Sequence, residues 1–227
     1  MCGRFGLAAD RDVLEAYYDA ACTFDYEPRY NIAPKSGVPA VRGSATDAID
    51  RLQWGLVPHW ADDADDSPTL INARAETLAE KPAFRDAFAN RRCLVPATNF
   101  YEWTGRRGRR VPYCIRVEDR PLFSMAGVWE PSRGNSADGG SLAIVTTAAN
   151  DTVGELHDRM PAILDGDDET RWLEAADEAA LLSLLEPYPD RLTERFEVST
   201  AVNDPASDGP ELVEPVGSNQ ADLREFG

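Results

Sequence analysis

CLVPATNFYEW, Cys93–Trp103, reads as a β-strand, an apolar and aromatic run bearing Glu102 between Tyr101 and Trp103. Arg106-Arg107-Gly108-Arg109-Arg110 follows where a hairpin turn should lie, and further strands are expected at Pro112–Val117, Leu122–Trp129 and Ser141–Ala148. Between the last two, Pro131–Gly140 is a Gly/Ser/Asn-rich surface connection. This density of strands without regular βαβ alternation points to a single α+β domain on a mixed, mostly antiparallel sheet system.

Towards the N-terminus, Pro82–Arg91 carries a helical pattern with Phe84 and Phe88 four apart. Leu70–Thr77 (LINARAET) sets polar groups between apolar ones, and Ala61–Pro68 (ADDADDSP) is a solvated acidic loop. Val38–Arg42 and Ile49–Val57 read as short strands, and Tyr26–Pro34 (YEPRYNIAP), with two prolines, as an ordered loop. Asp10 can cap a helix running to about Cys22. Towards the C-terminus, Asn150–Met160 delivers His157 and Arg159. Two helical segments follow, around Asp168–Ala175 and Asp177–Leu185, with a strand near Arg195–Val202. From about Asp204 the chain is polar and proline-punctuated, as expected of a loosely held tail.

At 227 residues and 43% hydrophobic content the chain can bury a substantial core. No apolar run is long enough to span a membrane and no secretory pattern opens the chain, so a cytoplasmic protein is expected. Cys2, Cys22, Cys93 and Cys114 are widely separated with two histidines beside them, so neither a zinc site nor a disulfide framework is suggested. The net charge of −17 ordinarily argues against nucleic acid. Yet Lys35 and Lys81 are the only lysines, and abundant acids with almost no lysine resemble the proteins of organisms that keep molar salt in their cytoplasm. There the Debye length is about 3 Å, and local arginines rather than bulk charge decide binding.

Met1-Cys2-Gly3-Arg4-Phe5 carries the most distinctive chemistry. Methionine is usually trimmed before a small side chain, which would place an α-amine and a thiol on adjacent carbons. With pKa values of about 7.7–8.0 and about 8.5, both can be nucleophilic near neutrality. An aldehyde would form an imine with the nitrogen, and the sulfur would then close a thiazolidine ring. The same pair could serve an N-terminal nucleophile hydrolase, or Cys2 could simply be a small residue tucked under the first strand. Glu102 could exchange protons if it faces inward, although strand alternation allows it to face water. His157 could be catalytic or structural. Arg4, Arg74 and Arg159 could grip phosphates or pair with the many acids.

MCGRF (1–5), YNIAP (30–34), WGLVPHW (54–60), NARAET (72–77), NFYEW (99–103), AGVWE (126–130) and LHDRMP (156–161), in this order, resemble the SRAP (SOS response-associated peptidase-like) family. Its members cap abasic sites in single-stranded DNA by crosslinking to them. The resemblance implies an SRAP domain over 1–203 with a barrel-like core flanked by helices, a polar tail over 204–227, and a monomer needing no cofactor or metal. It also implies that Cys2 joins the abasic C1′ aldehyde as a thiazolidine and that Asn72 holds the sugar or the new linkage by hydrogen bonds. Glu102 would shuttle protons, and His157 would assist ring opening and reversal. Arg4, Arg74 and Arg159 would grip flanking phosphates, with Trp54 and Trp103 supporting the kinked strand. A cysteine peptidase and a non-catalytic single-stranded-DNA binding module are the alternatives.

Overall fold

The computed structural model describes residues 2–43, 45–61, 69–105, 110–118, 120–132 and 139–217. Phe5–Leu7 (β1), buried throughout, leads into helix Arg11–Tyr18 (α1), which buries Leu14. Strands Ala21–Cys22 (β2), Arg29–Ile32 (β3), Gly37–Arg42 (β4) and Ala45–Trp54 (β5) follow. Next come Asn72–Arg74 (β6), helix Arg85–Asn90 (α2), Arg92–Ala97 (β7) and Asn99–Thr104 (β8). The strand-rich middle continues with Val111–Val117 (β9), Phe123–Pro131 (β10) and Gly140–Ala148 (β11). Asp151–Gly154 (α3), Arg159–Pro161 (β12), Ile163–Leu164 (β13), Asp167–Glu174 (α4), Glu178–Leu182 (α5) and Thr193–Glu197 (β14) complete the order.

The strands form two sheets. The smaller runs β14-β9-β8-β1-β3, antiparallel throughout. The larger runs β12-β11-β10-β7-β4-β5-β2, with β13 on β10 and β6 on β11. A short parallel pairing, Ser141 opposite Gln53 and Leu142 opposite Trp54, brings this larger sheet back on itself. The expected α+β domain with mostly antiparallel pairing is therefore present, and the helices add Leu14, Phe88, Val153, Trp172 and Leu181 to the same core as the strands.

CLVPATNFYEW is not one strand but two, in different sheets. Ala97 pairs with Phe123 in the larger sheet, whereas Asn99 pairs with Gly6 in the smaller. Thr98 makes the crossing: its N–H donates to Gly6 O (2.8 Å) and its Oγ1 accepts from Ala8 N (3.1 Å). Three other local expectations are corrected. Helix α1 stops at Tyr18 because Asp19 turns left-handed (φ 48°), and Ala21–Cys22 then joins β5. Tyr26–Pro34 holds strand β3 between its prolines, paired with β1 through Phe5–Ile32 and Leu7–Arg29. The segment after Asp204 is not loosely held as far as Gly217: Leu212 is fully buried, Asp208 accepts the Tyr30 N–H (2.6 Å), and Pro215 bridges to Val198. Residues 62–68 of the acidic loop, 106–109 of the arginine-rich turn and 133–138 of the Gly/Ser/Asn-rich connection lie outside the described residues. On either side of the arginine-rich segment, Thr104 pairs with Val111 as β8 and β9 run antiparallel.

Trp54 lies where the two sheets meet. It is fully buried, its ring meets Phe5 of the other sheet edge-on at 5.1 Å, and its Nε1 donates to Ile71 O (2.9 Å). A side chain so enclosed cannot stack on a base, which corrects its assignment to DNA. Trp54→Ala should instead cost about 3–5 kcal/mol, read as a lower urea midpoint, because it empties a large core site and orphans a carbonyl. Among the described residues no helix is long and apolar enough to cross a membrane.

Candidate active site

Strand β1 begins one residue after Arg4, and the Tyr101 N–H donates to Arg4 O (2.9 Å), so the smaller sheet carries Cys2-Gly3-Arg4 alongside β8. Alternation along β8 sends Tyr101 and Glu102 to opposite faces. Both faces are covered here. Tyr101 is sealed in a small cluster with Cys114, Val198, Val202 and Leu212, and its hydroxyl donates to Tyr30 O (2.7 Å). Glu102 faces the other way and is 4% exposed. Its carboxyl is pushed up to about 7, chiefly because burial penalises the anion.

Cys2 is fully buried, and its thiol is pushed up to about 12, first by burial and then by the charge of Glu102. The thiol is therefore protonated at neutral pH and needs a nearby base before it can attack. Asn72 reaches the same place from the larger sheet. Strand β6 runs parallel to β11 with Asn72 opposite Ile144, and alternation turns buried Ala73 away from Asn72 and Arg74. The Asn72 Nδ2 donates to Cys2 O (2.8 Å), while its Oδ1 is buried without a hydrogen-bond partner. A buried acceptor left open is a costly feature in a folded chain, and here it sits one residue's reach from the proposed nucleophile.

A hollow of about 520 Å³ opens beside these groups, lined by Gly3, Arg4, Glu102, Trp103, Arg110 and His157, with Gly105 and Asn203 at its border. His157, one-third exposed, lies just beyond α3, its N–H bonded to Val153 O (3.0 Å). Its Nδ1 accepts the Arg159 N–H (3.0 Å), and Asp158 Oδ1 lies 2.9 Å from the same nitrogen. One nitrogen cannot serve both. Burial holds the imidazole below its ordinary pKa, which favours the neutral ring at pH 7. Trp103 is partly exposed, its Nε1 donates to Asn203 Oδ1 (2.7 Å), and the Arg4 guanidinium lies 5.9 Å from its ring centroid. Arg74 is exposed at the end of β6.

Arg159 is placed differently from a freely reaching phosphate clamp. Its guanidinium forks onto Glu76, at 2.5 and 2.9 Å, and donates to Thr146 O, with 11% of the side chain exposed. Glu76 is in turn held below the usual carboxylate range by that fork. The acid-paired alternative read from the sequence is the one seen for this arginine.

Cys93 and Cys114 are buried and Cys22 is partly exposed; all are free thiols. Two further residues border the site: Arg110, from the arginine run already noted at the hairpin turn, and Asn203, which the sequence did not single out. Arg110 ends the arginine run, whereas nothing local marks Asn203, which arrives from 100 residues beyond Trp103. Elsewhere, His59, Asp86 and Glu130 bring ligand atoms within 4.8 Å of one another, but Arg91 bridges the two carboxylates and offsets part of their charge.

Known proteins resemble this chain along most of its length. A sequence model of the family described as SOS response associated peptidase (SRAP) matches residues 1–205. The chain is 37% identical over 224 residues to the abasic site processing protein YoqW of Bacillus subtilis (strain 168), covering 94% of this chain and 99% of that one. It is 31% identical over 230 residues to the abasic site processing protein YedK of Escherichia coli (strain K12), covering 95% and 100%. A crystal structure of a protein from Bacteroides thetaiotaomicron superposes with a TM-score of 0.84 at 27% identity, covering 94% of this chain and 99% of that one.

Proposed function

Because the chain belongs to the SOS response associated peptidase family, we propose that it processes abasic sites in DNA by trapping them covalently, acting as a cytoplasmic monomer on single-stranded DNA. Removal of Met1 would free the α-amine of Cys2. That amine adds to the ring-opened C1′ aldehyde, and the carbinolamine loses water to give an imine. The Cys2 sulfur then adds to the imine carbon, its proton passing to the nitrogen, and a thiazolidine results with one water released overall.

The observation that carries this reading is that Glu102 and Asn72 both act on Cys2, while His157 shares the adjoining hollow with Glu102. Glu102, half-protonated near pH 7, can give a proton to the departing hydroxyl and take one from the thiol. Asn72, already bonded to the Cys2 carbonyl, has an unused acceptor for a sugar hydroxyl. His157, neutral, borders the same hollow and can assist ring opening and reversal. Arg4 and exposed Arg74 supply positive charge for flanking phosphates. Arg159, paired with Glu76, acts by holding the wall behind them. Trp103 offers the partly exposed ring for packing against the strand.

The deciding experiment mixes mature protein with abasic single-stranded DNA and looks for a heat-stable shifted band, with intact mass reporting whether Met1 is gone. No band from the Met1-free chain removes the proposal. Turnover of peptides would support a peptidase, and equal binding of intact and abasic strands without a band would support a non-covalent binding module.

We also infer that the acidic balance, 40 acids against 23 Lys and Arg, suits a cytoplasm of high salt. Self-repulsion among like charges falls as the Debye length shrinks from about 10 Å at 0.1 M to about 3 Å at 1 M. Calorimetry should therefore show the melting temperature rising by at least about 5 °C between 0.1 M and 2 M KCl, equivalent to about 2 kcal/mol for a chain of this size. A melting temperature independent of KCl would remove the inference.

A further inference from the structure

Asn31, in strand β3, is fully buried, yet its side chain spends every hydrogen-bonding group on segments far away in sequence. Its Oδ1 accepts from Arg4 Nη1 (2.7 Å). Its Nδ2 donates to Ser207 O (2.7 Å) and Asp204 O (2.9 Å), with a weaker approach to Val202 O (3.3 Å). The same Arg4 Nη1 donates to Val202 O (2.8 Å). One amide thus ties the arginine beside Cys2 to the chain between Val202 and Ser207. That stretch includes Asn203, which borders the hollow and accepts the Trp103 indole N–H. Asp208 reinforces the joint by accepting the N–H groups of Tyr30 (2.6 Å) and Asn31 (3.2 Å).

We propose that Asn31 is a positioning residue of the DNA site, setting the guanidinium of Arg4 and drawing residues 202–207 in as one wall of the hollow. Arg4 is a long side chain, and without a fixed acceptor its guanidinium would sample many rotamers. The contacts from Asn31 and Val202 remove that freedom before DNA arrives. Asn31 itself touches no DNA, so its effect on binding must pass through Arg4 and the wall. The inference rests on the assignment of Arg4 to the DNA backbone made above.

The test uses the full, Met1-free chain and two oligonucleotides. A single strand carrying a tetrahydrofuran abasic analogue, which has no aldehyde, reports affinity; a true abasic strand at saturating concentration reports the capture rate. Asn31→Ala should weaken affinity about tenfold, the effect of losing a hydrogen bond that orients a charged group. The saturated capture rate should fall much less, because Cys2, Glu102 and Asn72 are not touched. The double variant with Arg4→Ala should lose clearly less affinity than the product of the two single losses, since the part of the Asn31 effect that passes through Arg4 has nothing left to position.

Affinities that multiply in the double variant, or an Asn31→Ala chain that binds like wild type, would overturn the proposal. If Asn31→Ala does not fold, Asn31→Asp decides, because it keeps the acceptor for Arg4 while losing the donors to residues 202–207. It should bind more tightly than Arg4→Ala; binding no tighter than that variant overturns the proposal. A wild-type chain that captures abasic DNA while the variants behave additively defeats this inference alone. A wild-type chain that binds neither strand removes the proposed function and this inference with it.

Discussion

Cys2→Ala protein mixed with abasic single-stranded DNA and then heated should give no shifted band, where the wild-type chain should give one. The expected loss is to below about 1% of the wild-type yield, because the sulfur is what converts a hydrolysable imine into a durable ring. The substituted chain still carries an α-amine once Met1 is removed, so a borohydride-trapped imine should survive the substitution. That pair of results separates the two nucleophiles: the nitrogen makes first contact and the sulfur locks it. A heat-stable band of undiminished intensity from Cys2→Ala, without borohydride, would mean that another group forms the bond. The protonated state of the thiol also predicts that iodoacetamide labels Cys2 slowly at pH 7, since burial and the neighbouring Glu102 push it up to about 12.

Glu102→Gln should slow capture by about 100-fold at pH 7, the usual scale of a lost general acid–base group. The pH profile is the sharper measurement. In the wild-type chain the rate should rise as the α-amine loses its proton, near about 8, and fall as Glu102 loses its proton, near about 7. The result is a broad maximum between neutrality and mild alkalinity. In Glu102→Gln only the rising limb should remain, and a variant that keeps the falling limb would assign it to another group.

Stability should move in the opposite direction. A carboxyl whose pKa is raised from 4.5 to about 7 on folding contributes stability that is fully present below pH 4.5 and is lost as pH rises through about 7. Glu102 is 4% exposed, so little solvent screening relieves that cost. Glu102→Gln, having no charge to bury, should be more stable than wild type at pH 8 by up to about 3 kcal/mol in urea unfolding. A buried acid retained at such a cost is the mark of a group kept for chemistry.

Much of this was legible along the chain. The thiol beside a removable methionine is a local fact, needing no fold to be seen. The hydrophobic and turn patterns placed most strands and the two later helices close to where they lie, and the order of short motifs from MCGRF to LHDRMP carried the family resemblance. What the pattern could not supply was which side of a strand is covered and by what. Trp54 and Trp103 look alike in sequence, yet one is clasped between two sheets and the other borders the hollow.

Glu102 could have faced water, because alternation gives two sides without saying which is filled; in the folded chain Tyr101 and Glu102 are both buried. Arg159 meets its partner 83 residues away and Arg4 is anchored to a carbonyl 198 residues away, pairings that no window of sequence contains. The residues themselves determined which reactive groups the protein possesses. Their surroundings were decided by the tertiary structure alone, since burial, charge pairing and the open acceptor of Asn72 arise only when distant strands close around the N-terminal segment.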